Sequence, residues 1–428
     1  MPTSTIWRNA AFLRVFSAAS VSIFGSFVTR TALPFAAILV LRAGPIEISA
    51  IRAFEIVGGL VVGLVAGAWV DRLRRRPVMI AADLGQAIVL GSIPIAAIGG
   101  WLSIPQLILV ALLASFFEVF HNAADNAYLP TIVEREQIVD ANSALTASRS
   151  VAEVTAFGIS GFLVQLLTAP IAIAVDAVSF LMSALVLGTI RRPEAPPRDV
   201  VEREPLLAEI REGLGAIARS DVLRAIAAAS SGSHFLWGVF GALYLLFLNE
   251  ELGLDPASIG VIAAVGGASS LLGAVSVGRT NRRLGIGPAT LLALVAFTAG
   301  SALLPIVPVG SIAIAVAMLV AHQFVGDFGA TINEVNELSL VQSITPNNLM
   351  GRVNSSLEVL THFWLLIGTV GGGLIAEWLG LRVALAVGVL GGVVGLAFLW
   401  LSPLRTLRTA TVPEPQGVLP AAELPLTE

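Results

Sequence analysis

Ionisable side chains stand inside long apolar stretches of this sequence, and they are the residues able to do chemistry. In the first half they are Arg30, Glu55, Glu118, His121, Arg149, Glu153 and Asp176; in the second they are His234, His322, Asp327, Glu334, Glu358 and His362. A charge carried into hydrocarbon costs about 2.5–3.5 kcal/mol on insertion scales, so such residues pair, line a wet path or relay protons. Glu118 and Glu153 fall near the middle of their stretches, with Arg149 one helical turn from Glu153. Two carboxylates in reach of one guanidinium form a group whose proton affinity follows water access and the ion-pair partner. That suits proton or substrate coupling; a plain ion pair between neighbouring helices is the competing role. Arg30 and Glu55 read as a salt bridge or as an outer gate that could meet an acidic group of a substrate. Asp327 is a further coupling candidate. His121, Asn122, His322, Glu358 and His362 are candidates for a cavity wall, where a histidine could titrate near neutrality. Ordinary packing is the alternative for each histidine, and Asp176 reads as structural.

Several kinds of chemistry are not expected. The chain has no cysteine, which removes thiol catalysis, disulfides and cysteine metal sites. Its histidines and carboxylates are too scattered to predict a metal site. No Ser-His-Asp spacing and no phosphate-binding loop is evident, so neither an enzyme, nor a cofactor, nor direct ATP coupling is expected. The arginines fall at membrane surfaces, so no nucleic-acid partner is expected.

The elements that must position these groups are apolar runs of about 20 residues, the length that crosses a hydrocarbon core about 30 Å thick. Of the 428 residues, 56% are hydrophobic and 13% charged, where soluble domains carry about 25% charged residues. Twelve runs are predicted, over 15–41, 48–70, 78–100, 104–127, 143–167, 170–190, 222–249, 257–278, 287–308, 311–337, 354–378 and 381–402. All 25 basic residues are arginine, which fits a GC-rich bacterial genome. With Arg30 set aside within a span, all the arginines but Arg42, Arg52 and Arg382 fall on or near one side, which predicts that both termini are cytoplasmic. The opening residues do not read as a cleaved signal, because Arg14 leads into a full-length run.

Residues 191–221 are the long polar interruption, with Pro193, Pro196 and Pro197 followed by Leu206, Leu207, Ile210, Leu214 and Ile217 at helical spacing. They predict an amphipathic helix at the membrane surface, linking bundles at 1–190 and 222–402. Residues 403–428, proline-rich and polar after Arg408, read as a disordered cytoplasmic tail. The halves echo each other. Asn142-Ser143 and Asn354-Ser355 both precede a long run, where an N-cap belongs. The same offset carries Asp125 onto Glu337, and Gly278-Arg279-Thr-Asn-Arg282-Arg283 is a degraded copy of an earlier loop.

That loop is Gly67-Ala-Trp-Val-Asp71-Arg72-Leu-Arg74-Arg75-Arg76. It resembles the signature between the second and third helices of the major facilitator superfamily. The chain more widely, through Leu129-Pro130 to Ser143 and Ala169-Pro170 to Ala184, is similar to its macrolide-efflux and enterobactin-export branch. The resemblance implies an all-α integral membrane protein of twelve helices in two pseudo-symmetric six-helix bundles. It implies a cytoplasmic latch of Gly67, Asp71, Arg72, Arg75 and Arg76, with Asp125 as the partner of Arg75. Arg74 departs from the usual glycine, and the fifth run has Ala156-Phe157-Gly158 and Gly161 where drug/proton antiporters often carry Gly-Pro. The implied function is proton-coupled efflux of a small amphipathic organic molecule, such as a drug, macrolide or siderophore-like metabolite. The partners are then protons, substrate and the lipid bilayer of the bacterial plasma membrane, and the chain is expected to be monomeric. Uptake or facilitated diffusion of a metabolite, or a non-transporting sensor or scaffold, are the alternatives. Trp237, Phe240, Tyr244, Phe324 and Trp364 are candidates for apolar contact with a substrate and equally for lipid-facing positions.

Overall fold

A computed structural model describes residues 5–70, 72–190 and 206–408. Its helices are α1 (Ala10–Phe35), α2 (Pro45–Val70), α3 (Arg75–Gly99), α4 (Ile104–Ile132), α5 (Ile138–Leu167), α6 (Ala169–Gly188), α7 (Leu206–Arg219), α8 (Asp221–Leu246), α9 (Pro256–Leu284), α10 (Ile286–Ala302), α11 (Ile312–Ile344), α12 (Met350–Leu379) and α13 (Leu381–Leu401). Among the described residues, ten helices are long and apolar enough to cross a membrane, and bent α5 makes eleven. With α2, 26 residues long, these are twelve spanning helices around the short α7.

The helices outrun the apolar runs, chiefly at the end of the molecule that carries the described termini, called here the terminal side. There α4 continues to Ile132, α9 to Leu284 and α11 to Ile344, while α5 begins at Ile138 and α12 at Met350. Hydropathy reports where lipid ends, whereas arginine, glutamate and glutamine keep good helix propensity beyond it. For the same reason the expected N-caps are displaced. Asn142 and Asn354 lie inside α5 and α12, whose capping positions are Gln137 and Leu349.

Helix α5 bends by 49° between Ala156 and Gly158. No proline is present, but Ser160 Oγ donates to the Ala156 carbonyl one turn back, a back-bond that competes with the helical ladder and bends helices. The linker helix α7 does not stand apart from the second bundle. Gly213 lies against the Arg352 backbone of α12, Ser356 Oγ donates to the Ile210 carbonyl at 2.9 Å, and Glu212 pairs with Arg352. Residues 403–408, expected as the start of the tail, are ordered: a turn of 3-10 helix spans Pro403–Thr406, and Gly287 N donates to the Leu407 carbonyl at 2.9 Å. The rest of the tail lies outside the described residues.

Contacts between the two bundles gather at the side opposite the termini. At the far end of the α5–α9 crossing, Gly161 lies against the Pro256 carbonyl and Gly260. At the α2–α12 crossing, Gly373 lies against Ser49 and the Pro45 carbonyl. Glycine allows backbones to approach closely in lipid, where no hydrophobic effect drives helices together. One apolar core joins both bundles and includes Val28, Ile48 and Val164 from the first and Val239, Leu243 and Ile259 from the second. The terminal-side core of the first bundle, built on Phe12, Met79, Tyr128 and Leu187, is separate from it. Among the described residues, the bundles therefore share a core toward the far side, while the terminal-side core of the first bundle stands apart.

Candidate functional site

A cleft opens inside the first bundle, lined from α1, α3, α4, α5 and α6. It follows the facing sides of α1 and α4, from Arg30 to Asp125. Small residues of α1, among them Ala19, Ser22 and Ser26, leave the space; long polar side chains of α4 fill its other wall. Glu118, His121, Asn122 and Asp125 occupy one stripe because they recur at spacings of three and four residues, one helical face.

The pairings differ from those the sequence suggests. Glu118 Oε1 lies 3.5 Å from the Arg30 guanidinium, and both side chains are more than two-fifths exposed. That exposure is toward the cleft that both residues line. Glu55, expected opposite Arg30, pairs within its own helix with Arg52 at 2.7 Å. Arg149 lines the same cleft as Glu118 but has no ion-pair partner among the described residues; Glu153 is exposed on α5 and is not part of the lining. The expected Glu118–Arg149–Glu153 triad thus resolves into a Glu118–Arg30 pair with an unpaired arginine nearby. The rotation of α1 and α5 about their axes decides this, and nearly uniform apolar patterning leaves that rotation unspecified.

The deepest charge in the cluster is Asp83 on α3, which the sequence reading missed. It is fully buried, accepts a hydrogen bond from Ser183 Oγ at 2.6 Å and lies 2.7 Å from His121 Nδ1. A carboxylate in an otherwise apolar run was the available signal. His121 therefore joins a cluster with Asp83 and Asp125, and Gln86 sits beside it in the cleft. A histidine between two carboxylates can hold a proton as an ion pair or release it when water or another cation enters. Asp125 Oδ1 and Arg75 Nε are both buried without a hydrogen-bond partner among the described residues.

Other candidates have simpler surroundings. Asp176 accepts from Thr29 at 2.5 Å and Ser179 at 3.0 Å, joining α1 to α6. His322 Nδ1 is 3.0 Å from the Gly300 carbonyl, and His362 Nδ1 is 2.9 Å from the Glu358 carbonyl. Glu358 is exposed on α12. Asp327 lies over Gly266 of α9, where a side chain would collide with its carboxylate. Glu337 accepts from Ser230 of α8, placing the repeat counterpart of Asp125 at an interhelical bond of its own. Arg76 donates to the Leu187 carbonyl at 2.8 Å and to the Gly188 carbonyl, closing the end of α6. Arg72 is exposed; Asp71 and the Gly67 side-chain environment lie outside the described residues. No group of three or more His, Asp or Glu is arranged to hold a metal ion among the described residues.

Comparison with known proteins places this geometry in context. The family profile described as Major Facilitator Superfamily matches residues 15–369. The uncharacterized MFS-type transporter YfiS of Bacillus subtilis is 24% identical over 392 residues, covering 89% of this chain and 91% of that protein. Macrolide efflux protein A of Streptococcus pyogenes is 23% identical over 219 residues, 51% of this chain and 54% of that protein. Among solved structures, nucleoside transporter NupG superposes with a TM-score of 0.74 at 13% identity, covering 91% of this chain and 98% of that one.

Proposed function

The chain belongs to the Major Facilitator Superfamily, and from that premise we propose that it is a proton-coupled exporter of amphipathic organic molecules. The observation that carries the reading is the asymmetry of contact between the bundles: packed on the far side, parted on the terminal side. With the termini in the cytoplasm, this is the inward-open state, ready to take substrate from the cytoplasm or the inner leaflet. Rocking the bundles about the cavity would exchange the seals. Both bundles lie in one chain, so a monomer suffices.

The coupling site is the Glu118–Arg30 pair with the neighbouring His121–Asp83 contact. The Glu118 carboxylate, 3.5 Å from the Arg30 guanidinium and open to the cleft, is the group that would take up and release the coupled proton as water and substrate enter and leave. One proton crossing 100 mV supplies about 2.3 kcal/mol, and one pH unit adds about 1.4 kcal/mol. Together they sustain a gradient of roughly 500-fold in a neutral substrate exchanged for one proton. The latch of Asp71, Arg75 and Asp125 would close the terminal side in the opposite state. The similarity to macrolide efflux protein A supports export over uptake.

The reading is tested by retention of fluorescent amphipathic probes in efflux-deficient bacteria carrying wild type, Glu118→Gln or empty vector, with and without an uncoupler. Lower retention that vanishes with uncoupler, and is weakened in the variant at equal expression, is the expected result. Probe loss that continues unchanged under uncoupler would remove proton coupling; accumulation above the vector control would reverse the direction.

A further inference from the structure

A ring of polar contacts passes behind the cleft through α4, α3, α6 and α1. Glu118 of α4 faces Arg30 of α1 at 3.5 Å. One turn along α4, His121 Nδ1 lies 2.7 Å from Asp83 of α3, and Asp83 accepts from Ser183 of α6 at 2.6 Å. Asp176 precedes Ser183 by two turns on the same face of α6 and accepts from Thr29 of α1 at 2.5 Å. Thr29 is the neighbour of Arg30, so the ring returns to the pair where it began. Helix α6 thus holds both partners, α4 through Asp83 and α1 through Asp176.

The grip of Asp176 on α1 has two parts. Its buried carboxylate accepts from the Thr29 and Ser179 hydroxyls and has no ion-pair partner among the described residues. It also rests on Gly25, one turn before Thr29: a Cβ there would lie 2.3 Å from Asp176 Oδ1 and 2.6 Å from Ser179 Oγ. A hydrogen bond and a backbone contact one turn apart fix both the rotation of α1 and its distance from α6. Nearer the terminal side α1 is tied to α5, with Ser20 Oγ and Ser148 Oγ 2.7 Å apart; at the level of Arg30 the tie is Asp176. Successive residues of a helix point about 100° apart, so with Thr29 turned to α6, Arg30 is turned to the cleft. A helix with its side chains has an outer radius of about 5–6 Å, so a rotation of about 20° displaces a side-chain group by about 2 Å. That parts an ion pair already at 3.5 Å.

Resting on the coupling reading above, we propose that Asp176 is a positioning residue for the coupling pair: by holding Thr29 and Gly25 of α1 against α6, it sets the rotation that brings Arg30 to Glu118. Buried behind α1, it acts through Arg30 without meeting substrate. Its partners are hydroxyls, so its part is to keep hydrogen bonds rather than to supply charge. An asparagine serves them as well, giving an N–H to one hydroxyl and its carbonyl to the other.

The test follows Glu118 itself, by infrared difference spectra of the purified full chain in lipid nanodiscs during a pH titration. The carboxyl band that Glu118→Gln removes gives its midpoint. Arg30→Gln is expected to move that midpoint by about one pH unit. Thr29→Val, which keeps the shape and loses the hydroxyl, and Asp176→Ala should move it in the same direction by at least half as much. Thr29→Ser and Asp176→Asn, which keep the bonds, should stay near wild type. Added to Arg30→Gln, Thr29→Val should produce no further shift, the mark of two changes acting through one contact. His121 and Asp125 on α4, Asp83 on α3, Arg149 on α5, and Arg52 and Glu55 on α2 are the other charged groups around the pair, and substitutions at Thr29 alter none of them. The rotation is read separately with Ser26→Cys, four residues before Arg30 on the cleft. Its rate of maleimide labelling should change at least threefold in Thr29→Val and stay unchanged in Thr29→Ser. A wild-type midpoint in folded Thr29→Val protein overturns the proposal, as does an unchanged Ser26→Cys rate in that variant. So does a Thr29→Val shift that adds in full to that of Arg30→Gln. The expected shifts in a protein whose uncoupler-sensitive probe loss from cells survives Glu118→Gln would remove the coupling reading and leave the positioning role standing.

Discussion

Substitution of Gly161 by alanine should open the far side. A Cβ at this position would stand 2.9 Å from Gly260 Cα and 3.0 Å from Gly260 N, with the Pro256 carbonyl closer still. All three are backbone atoms, so no side chain can rotate away. Carbon contacts relax at about 3.5–4.0 Å, so α5 and α9 must part by roughly 0.5–1 Å. Overpacking of this kind costs about 1–3 kcal/mol. The cost falls on the state in which the two helices touch there, and it shifts the ratio of far-side-closed to far-side-open molecules by about 5- to 150-fold. The chain has no cysteine, so Ser26→Cys in the cleft gives a single reporter for a membrane-impermeant maleimide. Applied from the far side, the reagent should label the parent slowly and the Gly161→Ala protein at least fivefold faster. Gly59→Ala is the control, because nothing lies within 4 Å of the added carbon, and its labelling should match the parent. A far-side rate for Gly161→Ala within twofold of the parent, in protein that elutes as a folded monomer, would refute the assignment of this crossing as the seal.

Further outcomes follow from the same geometry. Asp83→Asn removes the charge beside His121 and should abolish uncoupler-sensitive probe loss while the protein still reaches the membrane, as read by quantitative blotting beside retention. Arg76→Gln loses the two bonds that close α6 and should lower stability by about 1 kcal/mol, measured as a drop in the midpoint of thermal unfolding. Asp71→Asn should raise terminal-side labelling of cysteines placed on α5 and α9, by weakening the proposed latch; unchanged labelling would reduce Asp71 to an aid to topology. At the far-side start of α9, the Ser258 amide and hydroxyl donate to Asp255 and hold its carboxyl below the usual carboxylate range. That cap is formed at neutral pH and is lost as pH falls through the lowered value. Asp255→Ala should therefore cost about 1 kcal/mol at pH 7 and less in strong acid, read as the pH dependence of the unfolding midpoint.

The twelve spans were legible in sequence because each rests on composition over ten or more residues. Helix ends were legible only as the limits of lipid: α11 runs to Ile344 where apolarity stops near residue 337. Pairings between spans were the least legible. Glu118 meets Arg30 and Glu55 meets Arg52 because of how α1, α2 and α4 are rotated. A helix apolar on both its lipid face and its packed face carries little pattern to report that rotation. Asp83 was visible by the same rule that selected Glu118, a carboxylate within an apolar run, and its place against His121 needed the α3–α4 contact. The bend in α5 was not legible: the fifth run lacks the proline of a Gly-Pro kink, and the Ser160 back-bond that accompanies the bend leaves no mark in hydropathy.

Proton-driven transport is tested most directly with purified protein in proteoliposomes under an imposed pH gradient, following accumulation of a fluorescent amphipathic probe against its own gradient. The account predicts accumulation that collapses on addition of an uncoupler and is absent in Glu118→Gln vesicles of equal protein content. Accumulation that persists after the gradient is dissipated, or that is undiminished in Glu118→Gln, would contradict it.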